Sequence, residues 1–93
     1  MFIASARVEI FIGEAHSLKE KRQIIKSVLQ RVKNAFNVSI AEVDAMDRWQ
    51  VGVLGVACVS GDIHHARRQL DAVLDFLEQD GRFELGRVDR EVY

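Results

Sequence analysis

The apolar residues of this chain change their repeat length in a fixed order, and that order leaves room for few folds. From Phe2 to Ile12 they alternate. Phe2, Ala4, Ala6, Val8, Ile10 and Ile12 fall on one face; Ile3, Ser5, Arg7, Glu9 and Phe11 fall on the other. A repeat of two marks a strand, because successive side chains of extended backbone point to opposite faces. Gly13 ends it. From Ser17 the repeat lengthens, and Ile24, Ile25, Val28, Leu29, Val32, Ala35 and Phe36 form one stripe at about 100° per residue. Ser17 and Glu20 match the S-x-x-E box, in which each side chain satisfies a free backbone N–H at a helix start. The stripe needs a sheet to cover it.

The repeat then shortens twice in succession. Val38 to Ala45 reads as a strand, Met46 to Arg48 as a turn, and Trp49 to Val59 as the returning strand of a hairpin. The returning strand is apolar on both faces, as a central strand covered on both sides would be. Ser60 or Asp62 can cap a second helix, whose stripe is Ile63, Ala66, Leu70, Val73, Leu74 and Leu77. Asp80-Gly81 is expected to end it, with the glycine just past the last turn. The closing "RFELGRVDREVY" is a strand whose alternation breaks at Gly86, where a bulge is expected. The order β-α-β-β-α-β, with right-handed crossovers, predicts an α+β chain. The expected architecture is a ferredoxin-like split βαβ: a four-stranded antiparallel sheet with both helices on one face, as a single domain over residues 1–93.

Composition narrows the classes of function. Hydrophobic residues at 48% and charged residues at 29% are globular values. The single cysteine, Cys58, allows no internal disulfide, which suits a reducing cytosol. No apolar run approaches the roughly 18 residues of a membrane span, and the start lacks the basic region of a signal peptide, so no membrane partner is expected.

Charge is distributed unevenly. The segment "SLKEKRQIIKSVLQRVKNAF" (residues 17–36) holds Lys19, Lys21, Arg22, Lys26, Arg31 and Lys33 against one acid, Glu20, although the whole chain is at −1. Through residue 36 there are seven basic and three acidic side chains; beyond it, six and eleven. Such asymmetry bears on partner choice, and equally on attraction between the halves. On a helical wheel Lys19, Arg22, Lys26 and Lys33 lie within about 60° of one another, opposite the apolar stripe and about 20 Å long at 1.5 Å per residue. A stripe of this kind is either a solvated face or a surface for phosphates. The near absence of acids favours phosphates, since solvated helices usually interleave Glu with Lys. Lys21 falls inside the apolar stripe. It is expected to snorkel past the sheet edge, or else to point into a cleft beside Glu14, Ala15 and His16.

Other chemistry is poorly represented. His64 and His65 are adjacent and diverge on a helix, so with His16 they make surface histidines and no metal site. Cys58 lies in a buried-looking strand without a base beside it, and reads as a structural thiol. The first loop, "GEAHS", lacks the arginine of an acylphosphatase phosphate loop, and "VGVLGVACV" lacks the aromatics on which RNA-recognition motifs stack bases. No catalytic constellation and no cofactor motif is visible. The uncovered sheet face is expected to expose Ile3 and Phe11 with apolar residues of the central strand, and Trp49 at that strand's start. A contiguous apolar patch there predicts a homodimer.

The stretch "RVEIFIGEAHSLKEKRQIIKSVLQRVKNAFNVSIAEVD", followed by "WQVGVLGVACVS", resembles the YlxP-like family of small bacterial proteins of unknown function. The resemblance covers nearly the whole chain and is most specific in "HSLKEKR" and "FNVSIAEVD". It implies a ferredoxin-like fold and a cytosolic bacterial protein. Because family members are often encoded among translation genes, it also implies a link to RNA or ribosomes. It implies no reaction and no catalytic residues. The favoured expectation is therefore a non-enzymatic cytosolic protein contacting RNA or a ribosome through Lys19, Lys21, Arg22, Lys26 and Lys33. The alternative is a structural or regulatory protein-interaction module, a homodimer through Ile3, Phe11 and Trp49, with no nucleic-acid binding.

Overall fold

A computed structural model describes all 93 residues, Met1–Tyr93. Strand β1 (Phe2–Phe11) is followed by helix α1 (Leu18–Ala35), β2 (Ser39–Asp44), β3 (Val51–Ser60), α2 (Ile63–Glu78) and β4 (Glu84–Val92). The strands form one antiparallel sheet in the order β2-β3-β1-β4. This is the expected ferredoxin-like arrangement.

The alternation of β1 is what joins sheet to helices. Ala4, Ala6, Val8 and Ile10 are buried, and they lie directly across from Cys58, Val56, Leu54 and Gly52 of β3. The β1–β3 register runs unbroken from Phe2 opposite Ser60 to Phe11 opposite Val51. Over this floor α1 buries Ile25, Val28 and Val32, and α2 buries Ala66, Leu70, Val73 and Leu77. Each large aliphatic side chain so removed from water contributes about 1.5–3 kcal/mol. Gly52 lets α1 come close: a Cβ there would stand 3.1 Å from Ile10 and 3.3 Å from Ile25.

The helix starts follow the sequence with one adjustment. Ser17 Oγ accepts from Glu20 N–H at 3.1 Å, while the Glu20 carboxylate accepts from His16 N–H at 2.7 Å and not from Ser17. Ser17→Ala leaves a backbone donor without its acceptor and is expected to cost about 1 kcal/mol. An unchanged melting temperature would show that the helix does not depend on this cap. For α2 the cap is Asp62, which accepts from His64 and His65 N–H and whose carboxyl is held below its usual range by these bonds. Ser60 instead accepts from Asp62 N–H.

The end of α2 differs from expectation. Gly81 is not left-handed; no glycine is. The last turn closes through Gln79 N–H to Asp75 and Asp80 N–H to Leu77. Asp80 then takes over, accepting from Arg82 Nε at 2.9 Å and facing Arg31 of α1 at 3.5 Å. The Arg82 guanidinium holds the Asp80 carboxyl below its usual range. Arg31 also lies over the Phe76 ring, which meets Phe36 edge to face, so this cation belongs to the α1–α2 seam.

The bulge expected at Gly86 is present. Gly86 and Arg87 together oppose Glu9, between the pairs Val8–Val88 and Ile10–Leu85. A Cβ at Gly86 would come within 2.5 Å of the Phe11 ring, so the glycine makes room for that ring. A second bulge, at Val43 in β2, was not expected. The hairpin strands are shorter than read from the sequence: β3 begins at Val51, and Trp49 stays in the loop.

Candidate nucleic-acid interface

β2 is an edge strand, and α1 lies beside it. Between them runs a groove of about 260 Å³ lined by Arg22, Ile25, Lys26, Leu29, Gln30, Lys33 and Glu42. Arg22, Lys26 and Lys33 of the basic stripe thus form one wall of a groove, and Lys19 lies outside its lining. Lys19, Arg22, Lys26 and Lys33 are all exposed, and none has an ion-pair partner within the chain. Unpaired cations over an apolar floor can meet a polyanion without first breaking an internal bridge.

Lys21 does not join them. It was expected to snorkel past the sheet edge or to enter a cleft beside Glu14, Ala15 and His16; it does neither. It is the one buried charged residue, with no exposed surface. Its Nζ donates to the Ala45 carbonyl at 2.6 Å and lies 2.9 Å from Glu42 Oε2. That oxygen has no well-directed hydrogen bond, so the contact is chiefly Coulombic. Ala45 is the only non-glycine residue with positive φ, at 57°. A left-handed alanine is disfavoured by roughly 1–2 kcal/mol. Three contacts hold this one: its N–H donates to the Asp44 side chain, and its carbonyl accepts from Arg48 N–H and Lys21. Lys21 therefore anchors the β2–β3 loop and neutralises Glu42 within the groove, leaving the exposed stripe net positive.

Glu42 and Ala45 were missed in the sequence. One signal was available. Glu42 shares the face of Ile40, which points to the helices, so an acid and a lysine each occupied a position patterned as apolar. Two opposite misfits on facing elements are a candidate pair. Nothing marked Ala45.

On the uncovered sheet face the apolar residues lie along β3 and the adjoining edge: Val51, Val53, Ala57 and Val59 share it with Val43, which packs over Gly55. Ile3 faces Val59 at one end, and Phe11 faces Val51 at the other. Eight residue steps of strand separate them, about 26 Å at 3.3 Å per residue. Between them Arg7 bonds Asp44 at 2.8 Å, with Glu9 and Asp89 nearby on the same face. Phe11 and Trp49 remain exposed, at 45% and 50%, near the same end. On β1 the polar residues separate Ile3 from Phe11, while the apolar residues of β3 continue beside them.

The histidines stay apart. His64 and His65 sit in the first turn of α2 and His16 in the loop after β1, at the other end of the sheet. His65 Nδ1 is 3.2 Å from Ser60 Oγ, a contact of the α2 cap. Cys58 is buried, its thiol donates to the Ala66 carbonyl at 3.1 Å, and burial pushes its pKa up, away from the thiolate a nucleophile needs.

A split βαβ sheet with a basic helix laid along one edge defines a small α+β protein whose open features are surfaces. The family model described as "Protein of unknown function (DUF503)" matches residues 3–90, and the chain belongs to that family. It is 43% identical over 76 residues to the uncharacterized protein YlxP of Bacillus subtilis (strain 168), covering 82% of this chain and 83% of that protein. The resemblance read from "HSLKEKR" and "FNVSIAEVD" is thereby confirmed. Among solved structures, the de novo designed protein Foldit4 is similar with a TM-score of 0.55 at 17% identity, over all of this chain and 97% of that one. That likeness concerns the fold alone.

Proposed function

We propose that this protein contacts RNA, free or within a ribosome, through the phosphate backbone, and that it does so as a binding protein and not as an enzyme. The observation that carries the reading is the exposed, unpaired run of Lys19, Arg22, Lys26 and Lys33 on α1, of which the last three line the α1–β2 groove. The only acid there, Glu42, is matched by buried Lys21. Four phosphate contacts to single-stranded RNA give a slope of log K against log salt of about −2.8, at roughly −0.7 per contact. Between about 50 and 200 mM salt the affinity then falls about fifty-fold. Lys26→Gln removes one contact and makes the slope shallower by about 0.7, with sequence preference unchanged, because phosphate contacts position without reading bases. Titration of ribosomal RNA and of ribosomal subunits checks this, and absence of binding at about 50 mM salt sinks the reading.

A second reading is favoured by the exposed Phe11 and Trp49: a protein-interaction module that dimerises through its open sheet face and binds no nucleic acid. On that reading Phe11→Glu splits a dimer seen by light scattering, and the Lys26 change affects nothing.

A further inference from the structure

Each βαβ half lays its helix beside an edge strand, and the two grooves so formed carry opposite charge. The α1–β2 groove sets Arg22, Lys26 and Lys33 over Ile25 and Leu29. The α2–β4 groove, about 520 Å³, sets Asp71, Asp75 and Glu78 over Leu74, Leu85 and Val88. Its one cation, Arg90, is committed to Asp71 at 2.6 Å. Asp75 and Glu78 are exposed and, like the cations of the other groove, have no ion-pair partner within the chain. The molecule therefore presents two half-buried apolar troughs, each rimmed by unsatisfied charge of one sign.

We propose that copies of this chain associate head to tail, the acidic α2–β4 groove of one copy seating against the basic α1–β2 groove of the next. The topology permits this without rotation. β2 runs parallel to β1 and β4 antiparallel to it, so the two edges run in opposite directions. A second copy displaced sideways in the plane of the sheet sets its β2 antiparallel to β4 of the first, with all helices on one face and α1 beside the neighbour's α2. Both edges offer backbone N–H and C=O groups without partners. The helices run antiparallel, so the rows of charge can lie alongside: Asp71 to Glu78 spans about 10 Å and Arg22 to Lys33 about 16 Å, at 1.5 Å per residue. The bulges at Val43 and Gly86–Arg87 interrupt both edges, which limits the shared ladder and makes charge the main attraction. A contact between two different surfaces does not close at two subunits, so the assembly grows with concentration. It also covers the stripe proposed for RNA, so that self-association and RNA compete; this competition rests on the RNA reading, whereas the self-association does not.

The test is sedimentation equilibrium of the nuclease-treated protein. At about 50 mM salt the average mass should rise with concentration past that of a dimer, and at about 1 M, where the screening length is about 3 Å, it should fall to that of a monomer. Asp75→Lys with Glu78→Lys, and separately Lys26→Glu with Lys33→Glu, should each give a monomer with an unchanged circular dichroism spectrum. Mixing the two variants should restore association, since the intact groove of each meets one on the other. A monomer at every concentration, a mass indifferent to salt, or variants that stay apart on mixing overturns the proposal. So does a dimer that stops at two and is split by Phe11→Glu. An Asp75→Asn, Glu78→Gln variant keeps the basic stripe and adds no cation, and its titration with ribosomal RNA reports on the RNA reading alone.

Discussion

Lys21→Ala is expected to remove about 3–5 kcal/mol from the stability of the fold, the usual cost of leaving one partner of a buried ion pair alone. The Glu42 side chain is 17% exposed and has no other cation within ion-pair distance, so its charge would stay in a largely buried site without a direct partner. The Ala45 carbonyl would lose its side-chain donor, and the left-handed residue would be held by local contacts only. A loss of this size is a large fraction of the roughly 5–15 kcal/mol by which domains are stable. The double change Lys21→Met, Glu42→Leu removes both charges and keeps much of the volume, and it is expected to recover most of the loss. Urea unfolding of the three proteins checks both statements. A loss below about 1 kcal/mol for the alanine variant would mean that water reaches the pair in solution. Hydrogen exchange adds a local readout: residues 45–50 should lose protection in either variant, because neither retains the ammonium that anchors the loop.

Leu54→Ala is expected to cost about 2–5 kcal/mol. Leu54 is fully buried on the central strand, opposite Val8 of β1 and Glu42 of β2. Truncation opens a cavity that rigid strands on both sides cannot collapse to fill. Val59→Ala on the same strand, where the side chain is 63% exposed, is the control and should move stability by no more than about 0.5 kcal/mol. Comparable losses at the two positions would contradict the burial pattern. Because the cavity opens beside the Lys21–Glu42 pair, Leu54→Ala and Lys21→Ala should not be additive.

The legible parts of this structure are those set by neighbours in the chain. The alternation of Phe2 to Ile12, the Ser17 cap, a cap before Ile63 and the break at Gly86 each act within a few residues and appear in the fold, with Glu20 bonding His16 N–H and Asp62 taking the second cap in place of Ser60. The exposed stripe of Lys19, Arg22, Lys26 and Lys33 was legible for the same reason, since a helical wheel needs only local geometry. The errors have a common cause. Gly81 looked like a helix terminator, but Asp80 reaches Arg82 and Arg31 and closes the turn by other means. Lys21, inside the apolar stripe, was expected to snorkel past the sheet edge or to enter a cleft beside Glu14, Ala15 and His16; its partners lie 21 and 24 residues away, on β2 and the loop that follows.

The sequence by itself determined which segments form strands and helices, in what order, and which face of each is apolar. Those properties follow from repeats of 2 and 3.6 residues and from caps that bond over short range. The tertiary structure decided what those elements place side by side. Only the order β2-β3-β1-β4 makes β2 and β4 edges, sets a basic helix against one and an acidic helix against the other, and encloses Lys21 with Glu42. The physical reason is the reach of the forces. Hydrogen-bonding and steric preferences act along the backbone, whereas pairing of charge and exclusion of water depend on distance in space, which exists only once the sheet has formed.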